Sequence, residues 1–207
     1  MISSINFSNA LRAVSSGLQN PVMVILLILI ALTIFMAGTL IAEICTERLH
    51  FKAKFPELLD RMKRNEEPIE KTIEGSGLLK RHKKLFFRLT SCSGMDAEMK
   101  EALARRLLYE EQAHYDRITK ITDMIARLGP MFGLMGTLIP LGPGIIALGQ
   151  GDTYTLSKSL LMAFDTTVAG LISAACAFLI STVRKGMYEN YMTAVEVTME
   201  SILEVEE

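Results

Sequence analysis

Few residues in the apolar stretches of this chain can do chemistry, and they are conspicuous because most of their neighbours cannot. Asp165 is the one acidic residue inside a predicted membrane span. An ionised carboxylate in hydrocarbon is costly, so an intramembrane acid marks an ion-handling site by default. Two rival readings stand beside it: a hydrogen-bond anchor to a neighbouring helix, and a hydrated acid near the outer mouth of the span. Two residues of helix turn about 200°. Asp165 therefore points away from Thr167 and shares a face with Lys158, Val168, Ala169 and Ile172.

Two threonines lie on narrow stripes of small side chains. Ala163, Thr167, Gly170, Ala174, Ala177 and Ser181 step by four, three, four, three and four along one predicted helix. Gly129, Gly133, Gly136 or Thr137, Pro140, Gly144 and Ala147 form a matching stripe on the helix before it. Small stripes let another backbone approach closely, and tight packing alone would account for the glycines and alanines. A threonine hydroxyl can bond back to its own helix. It can also offer a donor and two lone pairs to water, an ion or a carboxyl group. Pro140 and Pro143, and Pro130 at the start of the span, remove backbone donors and predict a bend. Freed carbonyls inside a bilayer are tolerated only against protein or a water-filled cavity. The second helix is therefore expected in the interior, with Thr137 and Thr167 on a shared surface.

The elements that must position these residues are long helices. Half of the 207 residues are hydrophobic, mean hydropathy is +0.30, and the apolar residues are bunched, which marks an integral membrane protein. Residues 1–20 carry Ile2, Ile5, Val14 and Leu18 near helical spacing, with only Arg12 charged. They read as a short amphipathic helix at the membrane surface, without the basic start of a signal peptide. Asn20-Pro21 is a helix-start signal. The uncharged run to Ala42 spans about 30 Å, so residues 21–43 form the first span, expected to face lipid with Glu43 at its inner end.

Residues 44–127 are charged and helical in pattern, broken at Phe55-Pro56, Glu67-Pro68, Gly75-Ser76-Gly77 and Ser91–Gly94. The run Lys80-Arg81-His82-Lys83-Lys84 reads as a solvated face, with anionic lipid as the lesser reading. From Asp96 a helical spacing through Leu103, Leu107, His114, Ile118, Ile121, Ile125 and Leu128 predicts a helix running into the second span, residues 128–149. A turn at residues 150–157, a third span at 158–183 and a helical tail at 184–207 complete an all-α membrane protein. Its second and third membrane helices extend into a cytoplasmic helical domain.

Of 22 Lys and Arg, 18 fall between Glu43 and Leu128. By the positive-inside rule that segment and the carboxyl tail are cytoplasmic, while the amino terminus and the turn are outside. The net charge of −1 hides this asymmetry and gives no sign of nucleic-acid binding. Three cysteines (Cys45, Cys92, Cys176) without CxxC spacing make neither a disulfide framework nor a zinc site. His50, His82 and His114 stand apart amid charges and read as solvated surface residues. No nucleotide loop, metal cluster or nucleophile–base pair appears, so neither a cofactor nor catalysis is expected.

Two segments carry a resemblance. Gly129-Pro130-Met131-Phe132-Gly133-Leu134-Met135-Gly136-Thr137 looks like a P-x-x-G-L-x-G-T motif, and Ala163 to Leu171 looks like A-L-x-x-T-x-x-G-L. Together, in consecutive helices, they resemble the MotA/TolQ/ExbB proton-channel superfamily, in its three-span ExbB/TolQ-like branch. The resemblance implies an inner-membrane homo-oligomer of five copies whose second and third helices line a pore. It further implies a dimer of an ExbD/TolR/MotB-like one-span partner with a membrane aspartate. Proton or sodium flow would drive mechanical work through that partner. By position, Thr137 and Thr167 match the pore-facing threonines, with Gly133, Gly136, Gly170, Ala163 and Ala174 around them, and Pro130 matches the proline at the inner end of the pore helix. The family's third-helix glutamate falls on Met162, so Asp165 is an acid at a different position. A non-conducting scaffold that assembles a complex through the same small faces is the competing reading.

Overall fold

The computed structural model describes residues 2–45, 80–91 and 96–205. The breaks expected at Phe55-Pro56, Glu67-Pro68 and Gly75-Ser76-Gly77, and the histidine at position 50, lie outside the described residues, as does most of Ser91–Gly94. The described residues are all-helical: α1 (Ile2–Glu43), α2 (Lys80–Thr90), α3 (Ala97–Gly149) and α4 (Thr153–Val205). Three of these, α1, α3 and α4, are long and apolar enough to cross a membrane.

The helix start expected at Asn20-Pro21 is not one. Helix α1 runs unbroken from Ile2 with Pro21 inside it. A buried-helix proline forfeits one backbone bond and crowds the carbonyl four residues back, at a cost of about 3 kcal/mol. Here that carbonyl belongs to Gly17, Pro21 itself is exposed, and the long apolar run that follows holds the helix. Helix α3 likewise continues through Pro130, Pro140 and Pro143.

Helices α3 and α4 are joined by a very short turn. Asp152 donates its backbone N–H to the Ala147 carbonyl at 2.9 Å, and Gly151 takes a positive φ of 76°, which a glycine adopts without a Cβ penalty. Asp152 then caps α4. Its Oδ1 accepts from the Thr155 backbone N–H at 3.0 Å and its Oδ2 from the Thr155 hydroxyl at 2.5 Å. These two bonds hold the Asp152 carboxyl below the usual carboxylate range.

The chain divides into two compact units. The first combines Met1–Gly38 with Ile121–Ser181. Its core is Leu29 of α1, Ile125 of α3 and Ala177 of α4, packed by Ile25, Leu32, Ala126 and Phe132. Large apolar side chains such as Leu27, Phe35, Leu138, Phe164 and Leu179 face outward, which suits a lipid solvent and not water. Thr33 is buried in the first span and donates its hydroxyl to the Leu29 carbonyl.

The second unit combines Thr39–Lys120 with Thr182–Glu207. Leu85, Phe86 and Leu89 of α2 pack on Ala104 and Leu107 of α3 and on Val195, Met199 and Ile202 of α4. His82 is fully buried in this unit, a correction to its expected solvation. The flanking lysines and arginine suggest an exposed run, but His82 stands three, four and seven residues before Leu85, Phe86 and Leu89. It therefore falls on the apolar stripe of α2. Lys84 is exposed and Arg81 half-exposed, so the rest of the basic run divides around that stripe. His114 is half-buried.

Candidate functional site

The glycines of the two stripes bring α3 and α4 into backbone contact. A Cβ built on Gly170 would stand 2.6 Å from the Gly129 carbonyl oxygen and 2.8 Å from Gly133 Cα. One on Gly129 would meet the Gly170 carbonyl at 2.7 Å and Ala174 Cβ at 3.0 Å. Farther along, Gly136 lies against the Thr166 side chain and Gly144 against Ser159. Gly133, Gly136, Gly170, Ala163 and Ala174 are thus buried in a seam within one chain. Pro140 is buried in the same stripe, while Pro130 and Pro143 are exposed.

Thr137 and Thr167 stand half-buried at the edge of this seam. Thr137 donates its hydroxyl to the Leu134 carbonyl at 2.6 Å, and Thr167 to the Ala163 carbonyl at 3.0 Å. With the hydrogen used inside the helix, each hydroxyl presents lone pairs outward. Such an oxygen suits a cation or a protonated carboxyl. The fully packed threonine is the neighbouring Thr166, whose hydroxyl back-bonds to Met162 and Ala163 under Gly136. Asp165 is exposed, on a face with the exposed Leu161, Val168 and Ile172. The fold does not bring it to Thr137 or Thr167.

Sequence reasoning missed one acid of this unit. Asp123 of α3 is half-buried and accepts a hydrogen bond from Ser181 of α4 at 2.5 Å. Ser181 is itself buried. The signal was present as a seven-residue spacing through Asp123, Pro130 and Thr137, which keeps one helix face to within about 20° per step.

The second unit holds its own polar groups. Arg184 is buried, donates to the Thr39 hydroxyl at 2.8 Å and places Nε 3.3 Å from Glu43. A buried guanidinium needs such partners. Arg81 pairs with Glu111 at 2.7 Å, and His82 Nε2 lies 2.9 Å from the Tyr115 hydroxyl. Burial pushes the His82 pKa down to about 4, with the Glu111 carboxylate opposing that shift and Arg81 adding to it. Tyr115 stacks on Tyr188 at 4.3 Å between ring centroids. An open cleft of about 440 Å³ between α3 and α4 has Asp116, Glu189 and Glu196 among its lining, against Lys185 alone, a balance that favours cations.

Comparison with known proteins agrees with the two-helix motif. The model of the MotA/TolQ/ExbB proton channel family matches residues 69–197, more than half of the chain, with the second and third predicted spans and the turn between them. Curated protein sequences give no match. The family is one of proton channels and not of enzymes. The match, the three apolar helices and the glycine seam are properties of one multi-pass membrane protein, and the chain belongs to the MotA/TolQ/ExbB proton channel family.

Proposed function

We propose that this chain is the ion-conducting subunit of an inner-membrane motor complex. Five copies surround a dimer of a one-span partner, and the partner's membrane aspartate takes and releases the conducted ion. The amino terminus and the α3–α4 turn face outward, and the second unit faces the cytoplasm. One charge moving down a potential of 100 mV releases about 2.3 kcal/mol, which the complex converts into movement of ring against inner dimer. The ion is a proton, with sodium as the alternative.

The observation that supports this reading best is the pair of half-buried threonines at the seam edge. Thr137 and Thr167 have spent their hydrogens within their helices, so they offer acceptor oxygens to a loaded, neutral carboxyl or to a cation. Gly133, Gly136, Gly170, Ala163 and Ala174 back that wall by holding the two helices together. Pro130, Pro140 and Pro143 free backbone carbonyls along it. Asp165, on another face, serves contacts outside the wall.

The complex, purified with its partner and reconstituted into vesicles, should carry protons or sodium under an imposed voltage. Thr137→Val and Thr167→Val remove a hydroxyl at similar size and should each abolish most of that flux. If both variants conduct like the wild type, the threonines only pack. The scaffold reading is favoured by one observation, the burial of the small residues within a single chain. It wins if no partner co-purifies and the assembled ring carries no ion.

A further inference from the structure

The conducted ion has to leave the membrane at the inner end of α3 and α4, and the first unit places one carboxylate there. Asp123 lies five residues before the apolar run of α3 begins, about 8 Å along the helix axis. It stands 14 residues from Thr137, and Ser181 stands 14 residues from Thr167. Each interval is four turns, about 21 Å, with a drift of only about 40° in direction. The two polar pairs therefore occupy the same flank of the same two helices. Between them at seven-residue steps are Pro130 on α3 and Ala174 on α4, neither of which offers a polar side chain.

We infer that Asp123, positioned by Ser181, is the inner-end acceptor for the conducted cation. The inference rests on the channel reading above. The Ser181 hydroxyl donates to Asp123 Oδ1 at 2.5 Å, the distance of a hydroxyl donating to a carboxylate. That bond orients the carboxylate and leaves its charge in place. A proton or a desolvated sodium ion coming from the threonine level meets this charge before it reaches water. The partner's carboxyl gives up a proton or sodium ion, water along this flank carries it the intervening distance, Asp123 takes it, and the cytoplasm receives it. A helix clamp would use the same hydrogen bond without needing the charge, and that difference is testable.

Asp123→Asn keeps an acceptor for Ser181 and removes only the charge, whereas Ser181→Ala keeps the charge and removes the bond. In the reconstituted complex, proton flux is read with a pH dye and sodium flux with a sodium dye. Asp123→Asn should lower flux by at least about tenfold, as loss of a proton-transfer group does. Ser181→Ala should stay within about fivefold of wild type, the worth of one hydrogen bond. Asp123→Glu should conduct.

Wild-type flux through Asp123→Asn overturns the inference, and so does an equal loss in Ser181→Ala and Asp123→Asn, which marks a clamp. Should Asp123→Asn fail to assemble by size exclusion, dicyclohexylcarbodiimide decides the matter. This reagent attacks protonated carboxyls in apolar surroundings. It should modify Asp123 as well as the partner's membrane aspartate, and an Asp123 left unmodified at reagent levels that fully modify that aspartate overturns the inference. Loss in the threonine variants with none in Asp123→Asn sinks this inference alone, while a silent wild-type complex sinks the channel reading with it.

Discussion

His82 illustrates what a residue-level reading of charge misses. Its neighbours in sequence are cationic, yet its position on the α2 stripe takes it to full burial beside Glu111, Tyr115 and Tyr191. Its Nδ1 and the Glu111 Oε1 are buried without a hydrogen-bond partner. The neutral imidazole is the folded form, because burial holds its pKa near 4 against an ordinary 6.5. The unfolded chain therefore binds the extra proton between those values, and stability falls as pH drops through that window. The full effect is on the order of 3 kcal/mol. Thermal unfolding of the detergent-solubilised protein should show a melting temperature that declines from pH 7 to pH 4.5. His82→Gln, which has no such titration, should flatten that decline. The acid limb surviving unchanged in His82→Gln would assign it to other groups. Thr137 and Thr167 were legible because a polar atom on a small stripe stands out. Thr166 was not, since one step along a helix moves a side chain about 100° and only the packing shows which of two adjacent threonines is covered. Asp123 was hidden by company: it lies among charges just outside the span, where an acid attracts no notice.

At the scale of elements, the seam between α3 and α4 makes a sharp prediction. A methyl on Gly170 meets backbone atoms of Gly129 and Gly133, which cannot rotate aside. Gly170→Ala should destabilise the hairpin by about 1–3 kcal/mol. Gly38→Ala, where the new methyl meets nothing within 4 Å, should be neutral or stabilise α1 by up to about 1 kcal/mol. Chemical denaturation in detergent compares the two directly, and equal stability of Gly170→Ala with wild type would refute close contact. The four-three stripes announced this contact in sequence. What they left open was the partner, since small residues serve a neighbouring copy as well as the next helix. The helix start misread at Pro21 has the opposite lesson. Proline biases a boundary locally, but the long apolar helix that follows outweighs one lost hydrogen bond.

For the whole molecule, composition was the strongest guide. Bunched apolar residues and a basic central segment gave three spans and an all-helical membrane protein, and the family match agrees. Orientation rests on charge asymmetry and is open to direct measurement. With Cys45, Cys92 and Cys176 replaced, Tyr154→Cys at the exposed start of α4 should react with an impermeant thiol reagent in intact cells. Glu189→Cys and Glu200→Cys should react only after permeabilisation. The reverse pattern would invert the proposed topology.

The short cap at Asp152 has a mechanical consequence. Within the first unit, α3 and α4 are tied at one end by a turn of three residues and held farther on by backbone-on-backbone contact at Gly129, Gly133 and Gly170. No long side chain lies in that contact to slip from one rotamer to another, and no slack in the turn lets one helix slide past its mate. The hairpin is therefore a rigid stave. Sliding of one helix past the other is closed off within the first unit, and that part of the hairpin moves as a single piece.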